Sequence, residues 1–286
     1  MESASYIVSR MGAAKGQVTV VGMESVPFER VLGKAIGGFM QALFEARGVA
    51  FQTLATVTKF VAAGKGGRVA SVELSRAGPG GAPLPPLPAT LALVGVGMIP
   101  AVDYLVGAAG VTLRAGAPGG VVADEHLRVA PGVWAAGDIV FAATRFAPHG
   151  SRIEHWDVAV DQGRLAARNM LAEGAGRAPA PYAVVPFFWT VLFGKPLRYA
   201  GHALDTSGVV VQGRMEGGAP EEARFAAFFV VGGEVAAFMS FDEGAPLAAA
   251  AVELLRLGKM PPPSAIKAGK EILDLCALLR KVQAEA

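Results

Sequence analysis

Two stretches of this chain combine residue types that could do chemistry. The first, Ala135-Ala136-Gly137-Asp138, follows the run Pro131-Gly132-Val133-Trp134. A carboxylate at the end of a buried strand can accept hydrogen bonds from the hydroxyls of a ribityl chain, and the glycine before it lets a bound molecule approach the backbone. Taken alone, the same four residues also describe a strand ending in an ordinary Gly-Asp turn. The second stretch runs from Glu154 to Met170 and opens on His155-Trp156. Its spacing predicts a helix from about Trp156 to Glu173. Such a helix presents unpaired N–H groups and a positive dipole end, which favour negative charge developing on a reduced ring system. Small residues at Gly163, Ala166 and Ala167 let the helix pack closely on a sheet. An amphipathic helix with a buried tryptophan is the plainer reading of the same residues. Each stretch is weak alone; the two in this order are specific.

Composition sets the frame for these stretches. The chain has 286 residues, 52% of them hydrophobic and 17% charged, which suits packed domains and excludes a disordered chain. The net charge of +2, with basic residues scattered, gives no nucleic-acid footprint. The single cysteine, Cys276, sits in an apolar run and reads as a small core residue. It cannot form a CxxC pair, so redox chemistry would need a borrowed cofactor. His126, His149, His155 and His202 lack metal-ligand spacing, so no metal is expected. No apolar run approaches the roughly twenty residues of a membrane span. Met1 to Ile7 do not read as a signal peptide.

The elements that would position the two stretches follow from periodicity. Helices are predicted over Glu2 to Met11, ended by Gly12 and Gly16, and over Phe28 to Arg47, closed by Gly48. Gln17 to Val21 reads as a short buried strand and Ala50 to Leu54 as another. Thr56 to Val61 and Arg68 to Leu74 flank the turn Gly64-Lys65-Gly66-Gly67 as a hairpin. Ala77 to Pro88 reads as a Gly/Pro-rich surface loop, and Thr90 to Val94 as a central strand buried on both faces. An irregular loop is expected between Asp138 and the His-Trp helix, and a linker over 174–181. Beyond it, strands fit Val209 to Gln212, Phe225 to Val230 and Val235 to Met239, the last two joined at Gly232-Gly233. Helices fit Leu247 to Leu257 and Lys270 to Gln283.

In this setting the chain resembles the apoptosis-inducing-factor-like proteins and the ferredoxin reductases of ring-hydroxylating dioxygenase systems. The resemblance runs from Met1 to about Met239. Besides the two stretches above, it rests on Val26-Pro27-Phe28, on Val94-Gly95-Val96-Gly97-Met98-Ile99-Pro100, and on Pro186 to Thr190. The most distinctive string is Phe193-Gly194-Lys195-Pro196-Leu197-Arg198-Tyr199-Ala200-Gly201.

The resemblance implies an α/β protein built of partial Rossmann-like, FAD- and NAD(P)-binding domains followed by an α+β reductase domain. It divides the chain into an NAD(P)-binding domain over 1–100 that lacks its first strand, the second half of an FAD-binding domain over 101–180, and a C-terminal α+β domain over 181–286. It further implies FAD and NAD(P)H as cofactors. Glu2 would lie near the nicotinamide and flavin. Gly95 and Gly97 would let NAD(P)H pass close to the backbone, and Asp138 would bind the flavin ribityl chain. His155 and Trp156 would sit at the isoalloxazine edge, with Phe188 and Trp189 shielding the flavin and nicotinamide. Trp189 alternatively holds two domains together as a core aromatic. Hydride would pass from NAD(P)H to FAD, and electrons onward to a ferredoxin or Rieske-type iron–sulfur protein or to a quinone. A homodimer belongs to the same picture.

Two departures from the family pattern stand out. The Gly-rich turns that receive a dinucleotide pyrophosphate are absent, and the sequence opens inside the helix that would follow one, as expected of the C-terminal part of a longer protein. The acidic residue usually found at the end of the second NAD strand is replaced by Gly22, with Glu24 two residues on and Arg30 on the next helix, which leaves NAD against NADP open. The rival to an oxidoreductase part is a catalytically inactive module for interaction or dimerisation.

Overall fold

Hydrophobic periodicity builds the first helices where the sequence predicts them. A computed structural model of the chain describes residues 1–11, 18–64, 66–116, 119–269 and 271–285. It divides into two compact units. The first comprises Met1–Val96, Val191–Lys195 and Arg214–Ala223; the second comprises Gly97–Thr190, Pro196–Gly213 and Arg224–Ala286.

In the first unit, α1 (Glu2–Met11) is followed by β1 (Val18–Val21), α2 (Glu29–Ala46) and β2 (Val49–Gln52). Strands β1 and β2 pair in parallel, Val18 opposite Val49 through Val21 opposite Gln52. The crossover α2 buries Leu32, Ile36, Met40, Leu43 and Phe44, a stripe at helical spacing that must face other elements. Ser25 donates from both its N–H (2.8 Å) and its Oγ (2.6 Å) to the Glu29 carboxylate at the start of α2. Gly48, at φ 89°, ends the helix in the left-handed conformation its sequence position implied. Strands β3 (Ala55–Ala62), β4 (Val69–Arg76) and β5 (Pro83–Pro88) then form an antiparallel sheet in the order β3-β4-β5.

The second unit opens with the short strands β6 (Val121–Ala123), β7 (Arg128–Ala130), β8 (Val133–Trp134), β9 (Val140–Thr144) and β10 (Ala147–Ser151), then α3 (Trp156–Gly174). β6 pairs in parallel with β9, which carries β10 on its other side. Val121, Leu127, Val140, Val158 and Ala166 close a core between these strands and α3. Asn169 of α3 ties down the following segment: its amide donates to the carbonyls of His126 and Ala180, both at 2.9 Å, and its Oδ1 accepts from Ala180 N–H at 2.8 Å.

A five-stranded sheet follows, in the order β11 (Phe187–Leu192), β12 (Lys195–Gly201), β15 (Glu234–Phe241), β14 (Arg224–Val231), β13 (Val209–Arg214). Side chains alternate across it. Ala226, Phe228 and Phe238 point to the face covered by α4 (Ala245–Leu257) and α5 (Leu275–Ala284), meeting Ala250, Ala251, Leu254 and Leu275. Phe229, one residue from Phe228, faces the other way and packs on Tyr199 at 5.3 Å between ring centroids. That second face carries the site described below.

Several expectations are corrected. Thr90 to Val94 forms no strand, and Leu91, Leu93 and Val94 are exposed. In a doubly wound sheet the return strand pairs with the first strand, and no such first strand exists among the described residues, so its apolar run lacks a partner. β1 is half-buried rather than buried, for the same reason. Within the expected surface loop, Pro83–Pro88 pairs with β4; an edge strand tolerates prolines because its outer N–H groups have no partner to lose. The expected irregular loop before α3 holds β9 and β10. The last helix starts at Leu275, because Asp274 caps it by accepting from Ala277 N–H at 2.9 Å, and the expected start at Lys270 lies outside the described residues. Cys276 is a free thiol and only half-buried. The helix breaks expected at Gly12 and Gly16 lie outside the described residues, as do Gln17 and Lys65.

Candidate functional site

The Gly137-Asp138 turn is held from α3. Gly137 takes φ 83°, a conformation glycine adopts freely, and its N–H donates to the buried Gln162 carboxamide at 2.8 Å. Gln162 lies two turns along the helix that His155 and Trp156 open. The turn and the helix N-terminus are therefore one assembly. Asp138 keeps its carboxylate exposed, while its backbone carbonyl accepts from Arg152. The Arg152 guanidinium in turn pairs with Glu154 at 2.6 Å. Strand β8, which delivers the motif, is short and only partly covered, so Asp138 follows a short surface strand rather than a buried one.

His155 occupies the N-cap position of α3 in an extended conformation (φ −118°, ψ 141°), and its side chain makes no capping hydrogen bond. The first turn of α3 thus directs its N–H groups and the positive end of its dipole outward, with no side chain closing the end. The imidazole Nδ1 is buried without a hydrogen-bond partner among the described residues. Burial holds the His155 pKa below its ordinary value of 6.5, against the opposing pull of Asp138, Asp157 and Glu154. Trp156, expected on the plainer reading to be buried, is 76% exposed.

An aromatic stack reaches His155 from the five-stranded sheet. The His155 ring lies 4.8 Å from Phe188; Phe188 stacks on Tyr199 at 5.0 Å with an 18° tilt; Tyr199 meets Phe229. The Tyr199 hydroxyl accepts from Ala203 N–H at 3.2 Å, and burial pushes its pKa well up. Ser151 Oγ and His202 Nε2 share a hydrogen bond at 3.3 Å whose direction follows the imidazole tautomer. His202 is likewise held below 6.5 by burial, with a further contribution from His155.

The structure therefore brings Asp138, His155, Trp156 and Phe188 together on one side of the second unit. Trp189, next along β11, is 64% exposed, so the ring is not a buried core aromatic. Gly97 belongs to the same unit, exposed at φ 93°. Glu2, exposed at the start of α1, and Gly95, exposed in the unpaired segment, belong to the first unit. Sequence reasoning missed Gln162, Ser151, Tyr199 and His202. Gln162 stood in the quoted helix, and Tyr199 and His202 lie in or just after the most distinctive string. Nothing in the sequence pairs His202 with Ser151, 51 positions earlier.

These residues suit a flavin. An exposed carboxylate beside a glycine turn fits polyol hydroxyls, and an unpartnered buried imidazole nitrogen with an open helix N-terminus fits a polar ring edge. The class so defined is an FAD/NAD(P)-binding oxidoreductase fold. Solved structures agree: the ferredoxin reductase for the CYP199A2 system from Rhodopseudomonas palustris is similar with a TM-score of 0.74 and 26% identity, covering 98% of this chain and 61% of that one.

The family model described as pyridine nucleotide-disulphide oxidoreductase matches residues 1–163, and the chain belongs to that family. Among curated relatives, it is 32% identical over 261 residues to apoptosis-inducing factor 3 of Homo sapiens, covering 91% of this chain and 39% of that protein. It is 30% identical over 248 residues to the ferredoxin–NAD(+) reductase component of the anthranilate 1,2-dioxygenase system of Burkholderia cepacia, covering 86% of this chain and 55% of that protein. The chain thus spans between about two fifths and three fifths of the length of these relatives.

Proposed function

We propose that this chain is part of a flavoprotein oxidoreductase that takes hydride from NAD(P)H onto FAD and passes electrons to an iron–sulfur protein of the ferredoxin or Rieske type, or to a quinone. The observation that carries this is the convergence of Asp138, His155 and Phe188 on the uncapped end of α3, in a chain of this family. When bound, FAD supplies the two-electron to one-electron conversion. The residues supply the rest. Asp138 accepts hydrogen bonds from the ribityl hydroxyls, with Gln162 fixing the turn that aims it. The α3 N-terminus and His155 stabilise negative charge at the ring edge. Trp156, Phe188 and Trp189 exclude water and limit tilting of the nicotinamide. Gly95 and Gly97 would admit NAD(P)H close to the backbone, and Glu2 would act on the nicotinamide. Residues 1–100 then act as the NAD(P)-binding part, 101–180 as part of the FAD-binding domain and 181–286 as the C-terminal reductase domain.

The test supplies saturating FAD to the purified chain and follows its anaerobic bleaching by NADH and by NADPH. Reduction faster than that of free FAD, and slowed by Asp138→Ala, supports the proposal; a rate equal to free FAD counts against it. One observation favours a second reading, an interaction module. The exposed run of Leu91, Leu93, Val94, Val96, Met98 and Ile99 offers an apolar surface of the kind that meets another chain.

A further inference from the structure

The contacts around His155 close into a ring. His155 packs on Phe188, and Phe188 stacks on Tyr199. The Tyr199 hydroxyl takes the N–H of Ala203, the residue after His202. His202 bonds Ser151, and Ser151 begins the loop that returns to His155 four residues later. The strands β11 and β12 and a loop are thereby tied at two points, with a half-buried imidazole at each.

We propose that His202 is a positioning residue for His155: its bond to Ser151 pins the loop that presents His155 and Trp156, and the two imidazoles act as one pair that takes up its first proton at the expense of the second. His155 is faced by Asp138 from the turn, Glu154 from its own loop, Asp157 from α3 and His202 from the end of β12. His202 is faced by Ser151 and His155. The three carboxylates therefore bear on His155 and draw the first proton there, and a charge on His155 then disfavours one on His202. With both rings neutral, Ser151 and His202 can exchange donor and acceptor roles without breaking their bond. A second proton makes His202 a donor at both nitrogens and fixes the Ser151 hydroxyl as acceptor. The donor and acceptor roles in the bond that pins the loop thus follow the proton count, beside the ring edge the flavin would occupy.

That location rests on the functional reading above, but the pairing does not, and it is measured without flavin. The proton resonances of the four histidines are followed by NMR against pH in the whole chain and assigned by His126→Gln and His149→Gln. The expected result is that His155 and His202 each show two inflections, because each ring reports the charging of the other. Single, independent inflections in the unsubstituted chain overturn the proposal without any variant having to fold. His155→Gln, which removes the first charge, should raise the His202 midpoint by roughly half a pH unit or more. An unchanged midpoint in the folded variant also overturns it. Ser151→Ala should shift the His202 ring nitrogen resonances, and unchanged resonances would remove the pin. If the pairing holds while FAD reduction fails, the functional reading fails alone.

Discussion

At the scale of single residues, the candidate site separates side chains exposed enough to meet a ligand from groups that hold the fold. The Asp138 carboxylate is exposed, and its backbone carbonyl, not its side chain, takes the Arg152 bond. Asp138→Ala should therefore change the melting temperature little while weakening FAD binding by about 1.5–3 kcal/mol, the range of a charge-assisted hydrogen bond. Paired FAD titrations and thermal melts check this; equal affinity would make the turn purely structural. The 64% exposure of Trp189 leads to a similar separation. Its replacement by alanine should cost within about 0.5 kcal/mol in a urea melt yet slow NAD(P)H-dependent flavin reduction in stopped flow. A large loss of stability would restore the core-aromatic reading.

The two histidines predict how stability depends on pH. Burial keeps both neutral more readily in the folded chain than in the unfolded one, so the unfolded state takes up more protons as pH falls. Their contribution is fully present above an unfolded value near 6.5 and is lost as pH falls from there through the lower folded values. Thermal melts from pH 8 to pH 5 should show this decline, and a His155→Gln, His202→Gln double variant should flatten it. A wild-type curve without the decline would show that the neighbouring carboxylates cancel the burial.

At the scale of elements, legibility followed local signals. Helix α3 appeared almost to the residue because its pattern is local. The β14–β15 hairpin did so because Gly232 and Gly233, at φ 60° and 85°, sit between two alternating runs. The hairpin β11–β12 is not among the expected strands, although Phe187–Leu192 is aromatic and β-branched and Phe193-Gly194 takes positive φ at both turn positions; the string enters only as a mark of the family resemblance. Pro83–Pro88 was unreadable for a physical reason, since prolines signal a break until an edge position excuses them. Thr90 to Val94 failed the opposite way: an apolar run states that a strand wants partners, not that partners exist. The site divided likewise. Asp138 and His155-Trp156 carried a local signature, whereas Ser151 and His202 meet only through the fold. One element also makes a firm demand on its last residue. Gly201 ends β12 at φ 90°, and a Cβ there would meet the Ala236 carbonyl on β15. Gly201→Ala should destabilise the chain by about 1–3 kcal/mol in denaturant melts, because backbone strain and overpacking act together. A cost below a few tenths would show that the strand end shifts freely.

At the scale of the whole molecule, the residues that would address a flavin ring are present, while a G-x-G-x-x-G turn for a dinucleotide pyrophosphate is not found in the sequence. The purified chain should therefore carry far less than one FAD per molecule, read as the ratio of flavin to protein absorbance; a stoichiometric yellow protein would refute this. The exposed segment from Leu91 to Ile99 has a consequence of another kind. An apolar ribbon of this length is a template for strand-to-strand aggregation, and it is the sort of sequence that chaperones and proteases engage. Yet Pro88 and Pro100 bracket it, and Gly95 and Gly97 interrupt it. Both residue types act as gatekeepers against β-stacking. The glycines proposed to admit a nucleotide thus also oppose stacking of this exposed ribbon on its like.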